Sequence, residues 1–433
     1  MDGSPTTILE TLDARVDEIL SACTACGKCA AVCPTPGIAG LDVSYPEALT
    51  SGILDILRSG DGDAASRQWA TACCGSGFCL SVCEHGINPR FMLAMARRAL
   101  FAGQPEAERR DAGKVSFKAM SRGVRVISRL QLPLDLLERL SPSSHPVGER
   151  SPDLIFYTGC NLLKTPHIGL LCLDVLERLD VSYEVHGGPA NCCGILQLRT
   201  GDTANAGRQA GTTVERFRKS KAAEVLSWCP TCQIQFGETL SVDSGFDMTM
   251  FPVYLARRLD DLRPLMTRPV HKRVGLHEYP GSQGVTEAVV QLLKSIPGLE
   301  FVDLEMPRAG YVMSALDTLP EFRRELLTGM FRAAEAAGVT TLAGVYHGDH
   351  RELCGYQAEW PFEIVNYMDL IGESMGIHRP DLFKRLKLMD DVDAVIAASR
   401  EMIDAHGLDL EEVREVVLEN MLGERHLPAR LGS

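Results

Sequence analysis

Four cysteines stand at the spacing Cys23-x-x-Cys26-x-x-Cys29-x-x-x-Cys33, with Pro34 directly after the last. Thiolates this close together, on a loop loosened by Gly27, can wrap a soft metal centre, because sulfur ligands suit an iron–sulfur cluster or, as the alternative, zinc. A second group, Cys73, Cys74, Cys79 and Cys83, keeps the Cys-x-x-x-Cys step but has Ser76 where a regular run would put its middle cysteine. Gly75 and Gly77 make that loop pliable, so either Cys74 swings in as the missing ligand or the second site has three firm ligands. A third group spreads five thiols over three segments: Cys160, then Cys192-Cys193-Gly194, then Cys229-Pro230-Thr231-Cys232. Five exceed what tetrahedral zinc needs, so a cluster is favoured over a zinc site or a reactive Cys-x-x-Cys dithiol. Cys172, in IGLLCLDVLERL, falls on an apolar helix face and reads as core, while Cys354 is either core or part of a pocket.

Composition limits what these thiols serve. The chain has 433 residues, 45% hydrophobic and 23% charged, enough for two or three domains with a buried core. Its 44 basic against 57 acidic residues leave a formal charge of −13, which argues against nucleic acid as a partner. The N-terminus is acidic and amphipathic rather than basic and then apolar, and no apolar run is long enough to span a bilayer. The expected location is therefore cytoplasmic, peripheral at the inner membrane only through a partner. Fifteen cysteines in such a chain point to metal ligation in a reducing compartment rather than to disulfides.

The first group resembles the run of bacterial-type ferredoxins, in which the fourth cysteine, followed by proline, ligates the other of two clusters. That crossover assigns Cys23, Cys26, Cys29 and Cys83 to one [4Fe–4S] cubane. Cys33, Cys79 and either Cys73 or Cys74 then hold a second cluster, [4Fe–4S] or [3Fe–4S]. Helical periodicity over 6–20 and 45–59, and a helix after Pro89 (FMLAMARRALFAG), supply a small helical domain over 1–102. Residues 103–150 turn polar and then Pro/Ser-rich and read as a linker. Within it VSFKAMSRGVRVISRLQLPLDLLERL is amphipathic and packs on its own chain or on a partner.

From residue 153 the pattern becomes short apolar runs alternating with helical segments. DLIFYTGC ends at Cys160, VSYEVHGG precedes Cys192, a helix covers 203–221, and EVLSW runs into Cys229. Such alternation predicts a mostly parallel sheet with ligands at the C-terminal ends of its strands. The same order of elements recurs over 272–345: RVGLHEYPG, a helix near 284–295, LEFVDL, a helix near 319–336, and TTLAGV. There Pro280 stands at the position of the first cysteine, no Cys-Cys-Gly follows, and Tyr346-His347-Gly348-Asp349-His350 replaces the last Cys-x-x-Cys. His277, Arg308, His347 and His350, with Cys354, form a pocket candidate for a different metal, for proton donation or for an anionic substrate. The alternative is a copy kept for packing, with its histidines on surface loops. The tail, 376–433, reads as two helices forming a cap or a subunit contact. Neither a Rossmann fingerprint nor a P-loop is present, so electrons must be exchanged with another subunit, a flavoprotein or other redox protein.

Taken together, Cys160, Cys192-Cys193-Gly194 and Cys229-x-x-Cys232 resemble the CCG domain of the B subunit of heterodisulfide reductase. The upstream pair of cysteine groups resembles that enzyme's C subunit, so the chain looks like a C–B fusion with the layout of the D subunit, over about residues 15–375. The resemblance implies an α+β/α/β architecture: a helical ferredoxin-like domain (1–102) and a duplicated α/β CCG-type domain (151–265 and a degenerate 266–375). It implies that Cys160, Cys192, Cys193, Cys229 and Cys232 hold a non-cubane [4Fe–4S] cluster, with Cys192 and Cys193 at the catalytic centre, acting on a disulfide or thiol substrate. The family usually carries two such motifs, and here the second is lost. Similar layouts occur in iron–sulfur relay subunits of glycolate, lactate and glycerol-3-phosphate dehydrogenases, which deliver electrons toward quinone. A membrane cytochrome or quinone-reactive subunit is the corresponding partner.

Overall fold

The computed structural model describes residues 8–145, 151–239 and 245–423. Its N-terminal part is helical: Ile8–Ala22, Pro46–Ser59, Ala64–Ala72 and Pro89–Ala102 surround short helices at Lys28–Ala31, Pro34–Ile38 and Phe78–Val82. Local chemistry sets the boundaries. Asp63 accepts a bond from the Ser66 amide at the start of one helix, and Asn88 caps the next from Phe91 N, with Pro89 at its first position. Leu12, Ile53, Ile56, Trp69, Phe91 and Met95 fill the core between these helices, and their cysteine-bearing loops project from it. The helix expected over 6–20 runs Ile8–Ala22; residues 6 and 7 lie outside the described residues.

The segment read as a linker is instead largely structured. A 24-residue helix, Glu106–Arg129, and a shorter one, Leu134–Leu140, replace it. Val124, Val126, Ile127 and Leu130 are buried there, so the amphipathic face expected in this segment packs on its own chain. Residues 146–150 of the Pro/Ser-rich stretch lie outside the described residues.

Two parallel sheets follow. The first contains β1 (Leu154–Gly159), β2 (Tyr183–Gly187), β3 (Glu224–Ser227) and β4 (Asp247–Met250), in the order β2-β1-β3-β4. The second contains β5 (Arg273–His277), β6 (Glu300–Val302), β7 (Thr341–Gly344) and β8 (Glu363–Asn366), in the equivalent order β6-β5-β7-β8. Every pairing is parallel, and β1 is buried along its whole length, as a strand covered by helices on both faces must be. One hydrophobic core spans both sheets, from Leu154 and Phe156 to Val274, Ala343 and Val365, with the Trp228 and Tyr367 rings stacked 5.9 Å apart.

The expected pair of C-terminal helices is four short ones, Leu382–Lys387, Val392–Ala398, Arg400–Ala405 and Leu410–Val417, broken at Asp391 and Ser399. They bury Val395, Ile403, Val413 and Val417, and Glu412 pairs with Arg125 of the long helix. Residues 424–433 lie outside the described residues.

Candidate metal centres

All fifteen cysteines lie among the described residues, each a thiol outside any disulfide. In the helical part, burial raises the Cys29 thiol, with Cys23 and Cys26 close enough to add to the effect. Gly27 makes their loop possible: its φ is 74°, and a Cβ there would stand 2.6 Å from Glu47 N. The chain leaving Cys83 is tied to the same loop, since Glu84 pairs with Lys28 at 2.7 Å and His85 lies 3.1 Å from Thr24 Oγ1. The residues directly after Cys83 thus lie against the Cys23–Cys29 loop.

The second group separates the two adjacent cysteines. Burial pushes the Cys33 thiol up to about 11 with Cys73 as its charged neighbour, and Cys79 is raised by burial and then by Cys73 and Cys33. Trp69 Nε1 donates to Cys33 Sγ at 3.4 Å. Cys74 points elsewhere: fully buried, it takes a bond from Thr35 Oγ1 at 3.3 Å and packs in the core that contains Val126, Ile127 and Tyr279. Cys73, not Cys74, faces Cys33 and Cys79.

The third group is assembled by the first sheet. β1 runs into Cys160, β2 leads through a short turn at Pro189–Asn191 to Cys192 and Cys193, and β3 leads to Cys229 at the head of the helix Pro230–Ile234. Because β2, β1 and β3 are neighbours, their C-terminal loops meet at one edge. The thiols are close enough to share protons. Bonds from Cys160 and then Cys193 pull Cys192 down to about 4, a bond from Cys232 pulls Cys229 down to about 7, and Cys160, Cys193 and Cys232 are pushed well up. An all-sulfur set whose members share protons and cannot all ionise at once fits a multinuclear iron centre, which takes every ligand as thiolate and neutralises the charge.

The scaffold around this centre was not readable from spacing. Tyr157, in the middle of a strand that reads as apolar, sends its hydroxyl to Asn191 O at 2.7 Å and to Cys232 Sγ at 3.5 Å. Thr213 holds Cys192 O at 3.0 Å, and Arg216 holds Ala190 O at 2.6 Å. Gly194 adopts φ 79°, and a Cβ on it would meet Ala206 O at 2.4 Å.

A cavity of about 330 Å³ lies between the second and third groups, bordered by Cys73 and Arg90 on one side and by Ile195, Arg199, Thr231 and Tyr311 on the other. Arg199 donates to Tyr311 Oη at 3.0 Å on that second side. Arg90 closes its floor. Its Nη1 donates to Gly75 O and Gly281 O, each at 2.7 Å, and its Nε and Nη2 grip the Glu238 carboxylate.

The pocket expected from His277, Arg308, His347 and His350 is not assembled. His277 is buried against Tyr279 Oη at 3.0 Å and pushed down to about 3 by burial, so it is neutral. Arg308 pairs with Glu278 at 3.0 Å on the surface. His347 is buried, with Arg351 and Lys164 as its charged neighbours. His350 turns toward Asp381 and His167 instead. Cys172 and Cys354 are both core. His277, Arg308 and His350 each have a separate partner, and His347 is buried with its Nδ1 unpartnered, so sharing a sheet edge does not make them converge.

The family of cysteine-rich CCG domains matches residues 154–237, the segment that carries the third group. The chain is 25% identical over 319 residues to the D subunit of dihydromethanophenazine:CoB–CoM heterodisulfide reductase of Methanosarcina mazei, covering 66% of this chain and 75% of that one. It is 27% identical over 301 residues to the B subunit of fumarate reductase (CoM/CoB) of Methanothermobacter marburgensis, covering 67% of this chain but 47% of that one. The C subunit of anaerobic glycerol-3-phosphate dehydrogenase of Escherichia coli is 25% identical over 237 residues, 52% of this chain and 56% of its own length. Among the described residues no helix is long and apolar enough to cross a membrane.

Proposed function

We propose that the chain is a heterodisulfide reductase-like iron–sulfur protein, an electron-transfer subunit whose CCG centre performs thiol–disulfide chemistry. Cys23, Cys26, Cys29 and Cys83 would hold one cubane cluster. Cys33, Cys73 and Cys79 would hold a second, whose three-cysteine set favours [3Fe–4S]. Cys160, Cys192, Cys193, Cys229 and Cys232 would hold a non-cubane [4Fe–4S] cluster. When bound, these groups supply one-electron transfer at potentials set by their surroundings.

The observation that carries this reading is the shared cavity. It is bordered at one end by Cys73 and at the other by the Cys-x-x-Cys turn through Thr231, so a small sulfur substrate would sit beside both centres. Arg199, at that rim, would orient an anionic group on it. The two sheets, with one strand order and cysteines only at the first, support a duplicated unit whose second copy lost its ligands.

That loss also favours a second reading, a relay subunit of a flavoprotein dehydrogenase passing electrons toward quinone, as the similarity to the glycerol-3-phosphate dehydrogenase subunit suggests. In either case the partners are a flavoprotein or other redox subunit and, at the inner membrane, a cytochrome or quinone-reactive subunit. The two readings separate by experiment. Anaerobically reduced protein is mixed with a small anionic disulfide, and reoxidation is followed by absorbance. Disulfide chemistry predicts reoxidation slowed by about tenfold or more in Cys193→Ala, a barrier increase of at least about 1.4 kcal/mol. Equal rates in both proteins leave the relay.

A further inference from the structure

The second sheet edge, which carries no cysteines, has a different constellation beside it. His350, on the helix His347–Leu353 that follows β7, points its Nε2 at Asp381 Oδ2, 2.7 Å away. His167, second residue of the helix Pro166–Arg178 from the first half, places Nδ1 3.5 Å from Asp381 Oδ1. Asp381 is the N-cap of Leu382–Lys387, its Oδ1 fixed by the Lys384 amide at 2.9 Å. One ligand atom from each of the three residues falls within 4.8 Å of the others.

His167 shows that hydrogen bonding alone does not complete this group. Its side chain is 3% exposed, yet neither ring nitrogen has a hydrogen-bond partner, and His350 Nδ1 is likewise buried without one. Buried polar atoms are almost always satisfied, so an imidazole with both nitrogens idle calls for a ligand the protein itself does not supply. The other face of His167 is arranged as it is behind a metal-bound histidine. Asp369 directs Oδ1 toward His167 Nε2 at 3.9 Å, while Asp369 Oδ2 is anchored by Asn366 N at 2.9 Å.

We propose that His167, His350 and Asp381 bind one zinc ion, with the Asp369 carboxylate 3.9 Å from the far nitrogen of His167. Two imidazoles and a carboxylate are a nitrogen–oxygen set suited to zinc rather than to an iron–sulfur cluster. Bonds of about 2.0–2.2 Å put tetrahedral ligand atoms roughly 3.3 Å apart, close to the separation His167 and Asp381 already have. The ligands come from the first α/β half, the second half and the C-terminal helices, so the ion cross-links all three. Nothing in this assignment depends on what the cysteine centres do.

Zinc is measured by mass spectrometry on the full chain, purified anaerobically after growth with added zinc and dialysed against a weak chelator. The expected result is about one zinc per chain in the native protein, lost in His167→Gln and in Asp381→Asn with iron content unchanged. Zinc retained by both variants, or absent from the native protein after reconstitution, overturns the proposal. X-ray absorption at the zinc edge on the native protein decides without any variant. Nitrogen and oxygen neighbours at about 2.0–2.2 Å support the site, whereas sulfur at about 2.3 Å places the zinc on cysteines and refutes it.

Discussion

Arg90→Ala is expected to lower stability by about 3 kcal/mol and to release iron from the second N-terminal centre before the others. Arg90 is 7% exposed and joins three parts of the molecule at once. It binds Gly75 O in the loop after Cys73 and Cys74, the Glu238 carboxylate beyond the Cys229–Cys232 turn, and Gly281 O after β5. Its removal leaves two carbonyls and a largely buried carboxylate without their donor, and each loss adds to the cost. Asn88 Nδ2 still reaches Glu238 at 3.1 Å, but a neutral amide cannot replace the charge. Arg90→Lys, with a point charge in place of the planar fork, should recover only part of the loss, about half. Chemical denaturation followed by circular dichroism gives the stability, and iron per chain after mild heating gives the order of release. An Arg90→Ala protein as stable as the native chain contradicts the role assigned to this side chain.

Gly194→Ala is the second large effect expected, about 3–5 kcal/mol, with loss of the CCG centre. Two costs combine at this position. The residue sits at φ 79°, where a Cβ is strained, and that Cβ would lie 2.4 Å from Ala206 O, within the first turn of the helix Thr203–Ser220. The helix cannot retreat freely, because Thr213 holds Cys192 O and Arg216 holds Ala190 O. The turn must shift instead, and it carries Cys192 and Cys193. Iron should fall by about four per chain while the N-terminal centres persist. Gly211→Ala, inside the same helix with open space around its Cβ position, is the matched control: it should keep the full iron content and, if anything, gain about 0.5–1 kcal/mol of stability. Full iron content in Gly194→Ala contradicts this account of the turn.

Much of the third centre was legible because its positions are local. DLIFYTGC and EVLSW are apolar runs of strand length that stop at cysteines, and the structure ends β1 and β3 there. What spacing alone left open depends on contacts between distant segments. Cys73 stands at the first position of the run with Cys74 beside it, and the proposed choice of Cys73 is supported by its place next to Cys33 and Cys79, with Cys74 held by Thr35. Arg90 reads as one basic residue in an apolar helix, with no local sign that Glu238 awaits it. Tyr157 is an aromatic residue in a buried strand until the fold turns its hydroxyl toward Cys232. β4 and β8 have four residues each, too few to show a period of two against DMTM and EIVN. The amphipathic stripe of the helix Glu106–Arg129 was legible, but the charges of its first turns made the segment read as a linker. His350 finds His167 only because the two halves pack together, a contact that no motif could disclose.

Two cubane-type centres and one distinct five-cysteine centre are the expected content of this chain. Iron and acid-labile sulfide per chain, on anaerobically purified protein, test it most directly when joined to electron paramagnetic resonance of reduced and oxidised samples. The account predicts about 11 or 12 irons per chain, with one signal lost in Cys193→Ala and kept in Cys26→Ala. About eight irons or fewer, with no signal that depends on Cys193, contradicts it.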